Sequence, residues 1–112
     1  MEYNFKDHKK GDTFPGVSFK ISVNGLPLNL TGASIKMQLR ELTPTGAVGA
    51  TFTDLAGITI DATPTSGIFV FDKQVIDIPA VLYYFDIQIT LASGDIKTYI
   101  EGTWNITQDR TT

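Results

Sequence analysis

The stretch that decides the fold is YYFDIQITLASGDIKTYIEGTWNI, residues 83–106. Its first half alternates apolar and polar residues without a break, and the apolar side consists of Tyr83, Phe85, Ile87, Ile89 and Leu91. Successive side chains of a strand point to opposite faces, so a period of two predicts a strand with one buried face. Residues 92–95, ASGD, predict a turn, and the alternation resumes after them. The stretch therefore predicts an antiparallel hairpin.

The register of this hairpin follows from a turn centred on Ser93-Gly94. The predicted pairs are Leu91 with Ile96, Ile87 with Ile100, and Phe85 with Gly102. An aromatic ring opposite a glycine can cover bare backbone, and a slip by one residue would turn five apolar side chains toward water. We therefore expect the second strand to point these residues inward: Ile96, Thr98, Ile100, Gly102, Trp104 and Ile106.

Shorter alternating segments fill the rest of the chain. Residues 17–23 alternate up to Asn24-Gly25, which favours a type I′ turn because both residues tolerate a positive φ. Pro27 predicts a short or edge return strand. Residues 33–40, ASIKMQLR, form another half-buried strand, and 68–71, IFVF, suit a central strand. Turn signals every 8–12 residues predict an all-β sandwich or barrel.

The chain is predicted to be one domain. Its 112 residues leave no room for a second core. We expect a single β-sandwich domain over residues 1–112, with an extended N-terminal arm at 1–12 and a flexible tail at 107–112. The basic residues near the N-terminus favour a solvated arm over a phosphate site.

Composition excludes several kinds of function. The chain has no cysteine, which removes disulfides, thiolate metal sites and cysteine nucleophiles. A formal charge of −3 argues against nucleic-acid binding. No apolar run approaches the roughly 20 residues that span a bilayer, so we expect no membrane insertion. No motif for a cofactor or a metal is present, and we predict neither.

The residues offer little for catalysis. His8 is the only histidine and lies among charged residues near the terminus, where it has poor support for a role in a triad. The chain has no G-x-S-x-G elbow, P-loop, dinucleotide fingerprint or H-E-x-x-H. We therefore predict that the protein is not an enzyme.

The outward side of the 83–106 hairpin carries the candidate contact residues. We predict an interface formed by Tyr84, Asp86, Gln88, Tyr99 and Glu101. Tyrosine is favoured at interfaces, but an exposed tyrosine pair is also ordinary strand decoration. Asp86 and Glu101 are directly opposed in the predicted register, which is unfavourable for like charges. A lysine of a neighbouring strand or water, a basic residue of a partner subunit, or a metal ion could relieve them.

A set of turn and strand residues extends over most of the chain. They are Gly11-Asp12-Thr13, then Pro27 to Ala33, then Ile35 to Arg40, then Tyr84 to Thr90, Gly94, Gly102 to Ile106 and Asp109. In these residues the sequence resembles the N-terminal domain of the phage baseplate upper protein and related tail proteins. Asn29 stands where the family usually has Asp. The baseplate protein also continues into a helical, receptor-directed region, whereas this chain stops at Thr112.

That resemblance implies an immunoglobulin-like antiparallel β-sandwich of about 7–9 short strands. It implies a noncatalytic tail or baseplate protein that assembles with its own copies, with other phage tail proteins, or with both. Such a protein would occupy the bacterial cytoplasm during assembly and the virion afterwards. The alternative is a β-sandwich module that binds a carbohydrate or a small ligand through Trp104 and the tyrosines. That alternative needs an exposed Trp104, whereas the predicted register points it inward.

Overall fold

The computed structural model describes residues 1–108, and the protein is all-β over that range. Twelve strands and one 3₁₀ turn, Pro64–Ser66, follow in chain order. The strands are β1 His8–Lys9, β2 Thr13–Phe14, β3 Val17–Lys20, β4 Ser22–Val23, β5 Leu26–Pro27, β6 Ser34–Glu41, β7 Val48–Thr53, β8 Ile58–Ile60, β9 Ile68–Phe71, β10 Gln74–Val75, β11 Leu82–Thr90 and β12 Ile96–Thr107.

The strands form one large sheet and three small ones. The large sheet has the order β1-β12-β11-β6-β7, in which only the β1–β12 pair is parallel. A three-stranded sheet has the order β3-β9-β8, and the pairs β2–β10 and β4–β5 complete the set. Strand β9 is central, as the IFVF run predicts, and β5 is as short as Pro27 predicts. Five strands have two residues each, which leaves seven longer ones.

The core lies where the five-stranded sheet meets the smaller ones. The Trp104 ring of β12 lies 5.2 Å from Phe14 of β2 and 5.9 Å from Phe71 of β9. Trp104 is only 1% exposed, as the sequence predicts. Among residues 1–108, every buried side chain in this core is apolar or aromatic. Burial of apolar area at this junction is the main force that holds the sheets together.

Strand β6 has the alternation that its sequence predicts. Ile35, Met37 and Leu39 are fully buried, whereas Ser34 and Lys36 are exposed. Strand β11 alternates in the same way along its whole length. The outward side of each strand is therefore free of core contacts.

The β11–β12 register is confirmed in its central part and wrong near the turn. Ile87 pairs with Ile100 and Phe85 with Gly102, but Ile96 pairs with Thr90 rather than Leu91. A bulge between Ile87 and Gln88 shifts the register, and an extra residue on one strand reverses which side the following side chains take. Ile96 is consequently 62% exposed, not buried. The same reversal places Thr98 opposite Gln88, on the outward face.

The Asn24-Gly25 turn is confirmed. Asn24 has φ 53° and Gly25 has φ 79°, as a type I′ turn requires. Val23 pairs with Leu26, although both side chains remain exposed beside the turn.

The N-terminal residues, predicted as an extended arm, are extended and lie along β12. The amides of Tyr3 and Phe5 donate to the carbonyls of Glu101 and Thr103, at 2.9 and 3.0 Å. Phe5 is buried in the core. Of the tail predicted at 107–112, Thr107 ends β12, and residues 109–112 lie outside the described range. No helix within residues 1–108 has the length and apolarity needed to cross a membrane.

Candidate docking face

The outward face of the five-stranded sheet gathers most of the predicted contact residues. Register places Gln38 of β6 opposite Asp86 of β11, with Arg40 opposite Tyr84 and Lys36 opposite Gln88. The polar side of β6 and the polar side of β11 thus form one continuous surface. We call it the docking face.

Three carboxylates cross the docking face in a line. Asp86 is paired with Glu101, and Glu101 is paired with Glu2 of the N-terminal segment. Directly opposed side chains on neighbouring strands have their Cβ atoms roughly 5 Å apart. We call Glu2, Glu101 and Asp86 the acidic row. The predicted opposition of Asp86 and Glu101 is confirmed.

The cations nearest to the acidic row do not neutralise it. The Arg40 guanidinium donates to the Gly46 carbonyl at 3.0 Å and to Gln38 Oε1 at 3.2 Å. Lys36 lies opposite Gln88 rather than Asp86. Within residues 1–108, no cation lies within ion-pairing distance of an acidic-row carboxylate. The row is therefore a concentration of negative charge that is open to a cationic partner group.

The acidic row lines a shallow depression on the docking face. The depression has a volume of about 240 Å³. Its lining includes all three carboxylates, and Tyr84 and Pro44 add apolar surface to it. Sites for small organic ligands usually have volumes of roughly 300–1,000 Å³. The depression is thus slightly smaller than a usual ligand site, and a side chain of a docked protein would fit in it.

Tyr99 does not belong to the docking face. It is partly buried against the hydrophobic core and lines a second depression with Lys20 and Lys97. The Lys97 ammonium lies 5.3 Å from the centre of the Tyr99 ring. The prediction that Tyr84 and Tyr99 share one surface is therefore wrong, because the bulge in the β11–β12 ladder reverses the orientation of the residues around it.

The structure separates the predicted residues into three groups. Tyr84, Asp86 and Glu101 line the same depression, Gln88 lies one row away on the same face, and Tyr99 lies elsewhere. Sequence reasoning missed Glu2 and Arg40, which also line the depression. The alternation of β6 marked Arg40 as outward-pointing, but no local signal places it beside Tyr84. Glu2 gave no signal because its position depends on a parallel pairing between the two ends of the chain.

The side chains that could take part in catalysis or metal binding make contacts that belong to the fold. The His8 ring packs against Phe14 and Trp104, and its Nε2 lies 2.9 Å from the Asp12 carbonyl oxygen. Within residues 1–108, no three His, Asp or Glu side chains are grouped as a metal site requires. Burial, with a further contribution from Glu41, raises the pKa of Tyr83, whose hydroxyl donates to the Pro79 carbonyl at 2.7 Å.

Comparisons with known proteins do not assign the chain to a family. It matches no family model, and a search of curated proteins finds no relative.

Proposed function

We propose that the chain is a noncatalytic structural protein of a phage or prophage tail or baseplate. It acts by docking onto other tail proteins or onto its own copies. The acidic row carries this proposal. The Arg40 guanidinium lies in the same depression but bonds to Gly46 and Gln38, so the opposed carboxylates are left for a cationic group of another molecule. The sequence resemblance supplies the class of particle. The protein would act in the bacterial cytoplasm during assembly and in the virion afterwards.

We also propose that the fold is an immunoglobulin-like β-sandwich. The support comes from Tyr83, near the start of β11, whose hydroxyl bonds to the backbone four residues upstream. Such a tyrosine corner is typical of immunoglobulin-like and related Greek-key sandwiches. The core formed between the large and small sheets agrees with two packed layers.

The carbohydrate-binding alternative lacks its main support. Trp104, the aromatic platform that this alternative needs, is 1% exposed and surrounded by other rings. Tyr84 and Phe85 are the aromatic residues that line the acidic depression, and Phe85 is buried, which leaves Tyr84 for a ligand to stack on.

The test measures assembly with light scattering after size-exclusion chromatography. The protein is run alone over a range of concentrations and mixed with purified phage tail and baseplate proteins. We expect a defined oligomer or a mixed complex. Asp86→Lys should weaken that association at least tenfold, because it reverses the charge at the centre of the docking face.

Asp95→Lys is the matched control, since Asp95 lies in the exposed turn between β11 and β12. It makes the same charge change away from the acidic row and should leave association unchanged. Equal effects of the two variants would refute the docking face. A protein that stays monomeric and binds none of these tail proteins would refute the proposed function.

A further inference from the structure

The N-terminal segment, residues 1–10, is held to the body of the protein mainly along β12. Tyr3 and Phe5 donate to carbonyls of β12, and the Met1 carbonyl accepts from the amide of Glu101 at 3.0 Å. Lys10 donates to the Thr107 carbonyl at 2.9 Å. The segment therefore lies along the edge of the large sheet and is hydrogen-bonded to it as an additional extended strand would be.

One side chain anchors this segment in the core. The Phe5 ring is stacked on Trp104 with a centroid distance of 4.5 Å, and it also lies 5.0 Å from Phe85 and 5.8 Å from Phe14. Removal of the segment would leave an open hole among aromatic rings and an unpaired sheet edge. Such a groove accepts a strand that carries an aromatic residue at the same position.

Gly102 of β12 leaves the space in which the backbone of the segment lies. A Cβ at this position would overlap the Tyr3 carbonyl, and it would also come within 3.0 Å of Asn4 Oδ1. The groove is thus shaped for passage of a backbone at this point. Asn4 Oδ1 then accepts hydrogen bonds from the Thr103 amide and hydroxyl, each at 3.1 Å.

A single tight turn connects the segment to the rest of the chain. The Asp12 amide donates to the Lys9 carbonyl at 3.1 Å, and Gly11 within this turn has φ 87°. Gly11 is exposed, with no other atoms near its Cα on the side-chain side. Glycine can adopt an extended conformation without steric cost, so opening this turn would redirect residues 1–10 away from their own body.

Opposite charge on the segment and the body makes a second copy of the chain a suitable source of the strand. Lys6, Lys9 and Lys10 against Glu2 and Asp7 give the segment a formal charge of +1. The whole chain carries −3, so the remaining residues carry −4. A positive segment is attracted to the negative body of either copy, its own or a neighbour's.

We propose that the β12 groove accepts residues 1–10 of a second copy when the protein assembles. This inference rests on the self-assembly part of the proposed function and names the contact that produces it. Exchange of an identical segment preserves every contact of the closed subunit, so its cost is low. Reciprocal exchange gives a dimer, and exchange in one direction gives a ring or a filament.

The test uses the absence of natural cysteines. Asn4→Cys and Thr103→Cys are prepared as separate variants, unfolded together, refolded as a concentrated mixture and oxidised. Mass spectrometry then measures the disulfide that joins residue 4 of one chain to residue 103 of another. We expect at least ten times more of this product than from a matched mixture of Thr59→Cys and Asp72→Cys, whose side chains are hydrogen-bonded at 2.8 Å, away from the segment and the docking face.

Two further variants make the result decisive. The double variant Asn4→Cys/Thr103→Cys checks that the geometry permits the bond within or between chains. Adding Gly102→Ala to the Thr103→Cys acceptor should abolish the bond between chains. If the double variant forms its bond but the mixture gives no more product than the control, exchange does not occur. Light scattering on the wild-type protein, refolded at the same concentration, would then show whether it self-assembles through a different contact.

Discussion

Tyr83 couples the stability of the fold to alkaline pH. Its side chain is fully buried, and burial raises its pKa above the ordinary value of 10.0, with a further contribution from Glu41. A group whose pKa is higher in the folded state contributes stability that is complete below pH 10 and is lost as the pH rises through the folded pKa. We expect the free energy of unfolding to fall above pH 10, as measured by urea denaturation at a series of pH values.

Tyr83→Phe isolates this contribution. The variant loses the hydrogen bond to Pro79, so it should be less stable at pH 7 by about 1 kcal/mol. Its stability should then decline less steeply above pH 10. Tyr84→Phe is the control, because Tyr84 is a half-buried phenol on the docking face. Identical alkaline profiles for wild type and Tyr83→Phe would contradict the assignment.

Gly102 is required for the N-terminal segment to lie against β12. Alanine at this position would place its Cβ against the Tyr3 carbonyl, and backbone cannot yield as a flexible side chain can. We expect Gly102→Ala to cost roughly 2–3 kcal/mol, within the range for overpacked sites. Hydrogen exchange measures the local effect, since the amides of Tyr3 and Phe5 should lose protection while those of β6 keep it. Unchanged protection at Tyr3 and Phe5 would show that the groove tolerates a Cβ.

The long strands could be predicted from the sequence, whereas their irregularities could not. Alternation identified β6, β11 and most of β12, because it is a local signal. The register predicted from the turn at 92–95 matches the central pairs only because the bulge compensates for the different pairing beside the turn. The bulge near Ile87 left no trace in the pattern, since Ile96 continues the apolar alternation although it is exposed. We find no contact that explains why an isoleucine occupies this exposed position.

The packing of the N-terminal segment against β12 could not be predicted from the sequence. Its charged residues favoured a solvated arm, whereas in the structure Phe5 is buried and Tyr3 packs against the core beside it. The partner of the segment is β12, at the other end of the chain, and no local pattern identifies such a partner. The structure therefore makes this segment part of the core, with a measurable contribution to stability.

Phe5→Ala measures that contribution. Loss of a buried phenylalanine usually costs about 3–5 kcal/mol, because the cavity that it leaves closes only in part. Phe5 contacts five aromatic rings, so we expect a value within that range from chemical denaturation. Lys6→Ala, at the exposed neighbouring position, should change stability by less than about 0.5 kcal/mol. A small effect of Phe5→Ala would mean that the segment contributes little to the fold.

At the scale of the whole molecule, the candidate site could be predicted in part. Hairpin register, a local property, brought Asp86 and Glu101 together in the prediction and in the structure. Arg40 and Glu2 join them only through the strand order β12-β11-β6 and the parallel return of the N-terminus. Strand order is set by packing between distant segments, so a single sequence without local markers does not determine it.

The acidic row should oppose stability and favour association at the same time. Directly opposed like charges on neighbouring strands are unfavourable, by roughly 0.2–1 kcal/mol per pair. Replacing Asp86 by Asn and Glu101 by Gln keeps the shapes and removes this repulsion. We therefore expect Asp86→Asn/Glu101→Gln to be more stable than wild type by about 0.5 kcal/mol at low salt, as measured by urea denaturation. The gain should shrink at high salt, because ions screen the repulsion between these partly exposed groups in the wild type.

The same double variant should associate more weakly, because its docking face has lost two of its three carboxylates. A variant that is more stable but docks less well is the pattern of a surface kept for binding rather than for folding. Light scattering on the wild type and the variant, at the same concentration and salt, measures this second effect. Two further variants, Ser34→Ala and Thr98→Ala, serve as controls on the same face away from the acidic row. A variant that is more stable and still assembles fully would show that the acidic row serves neither folding nor docking.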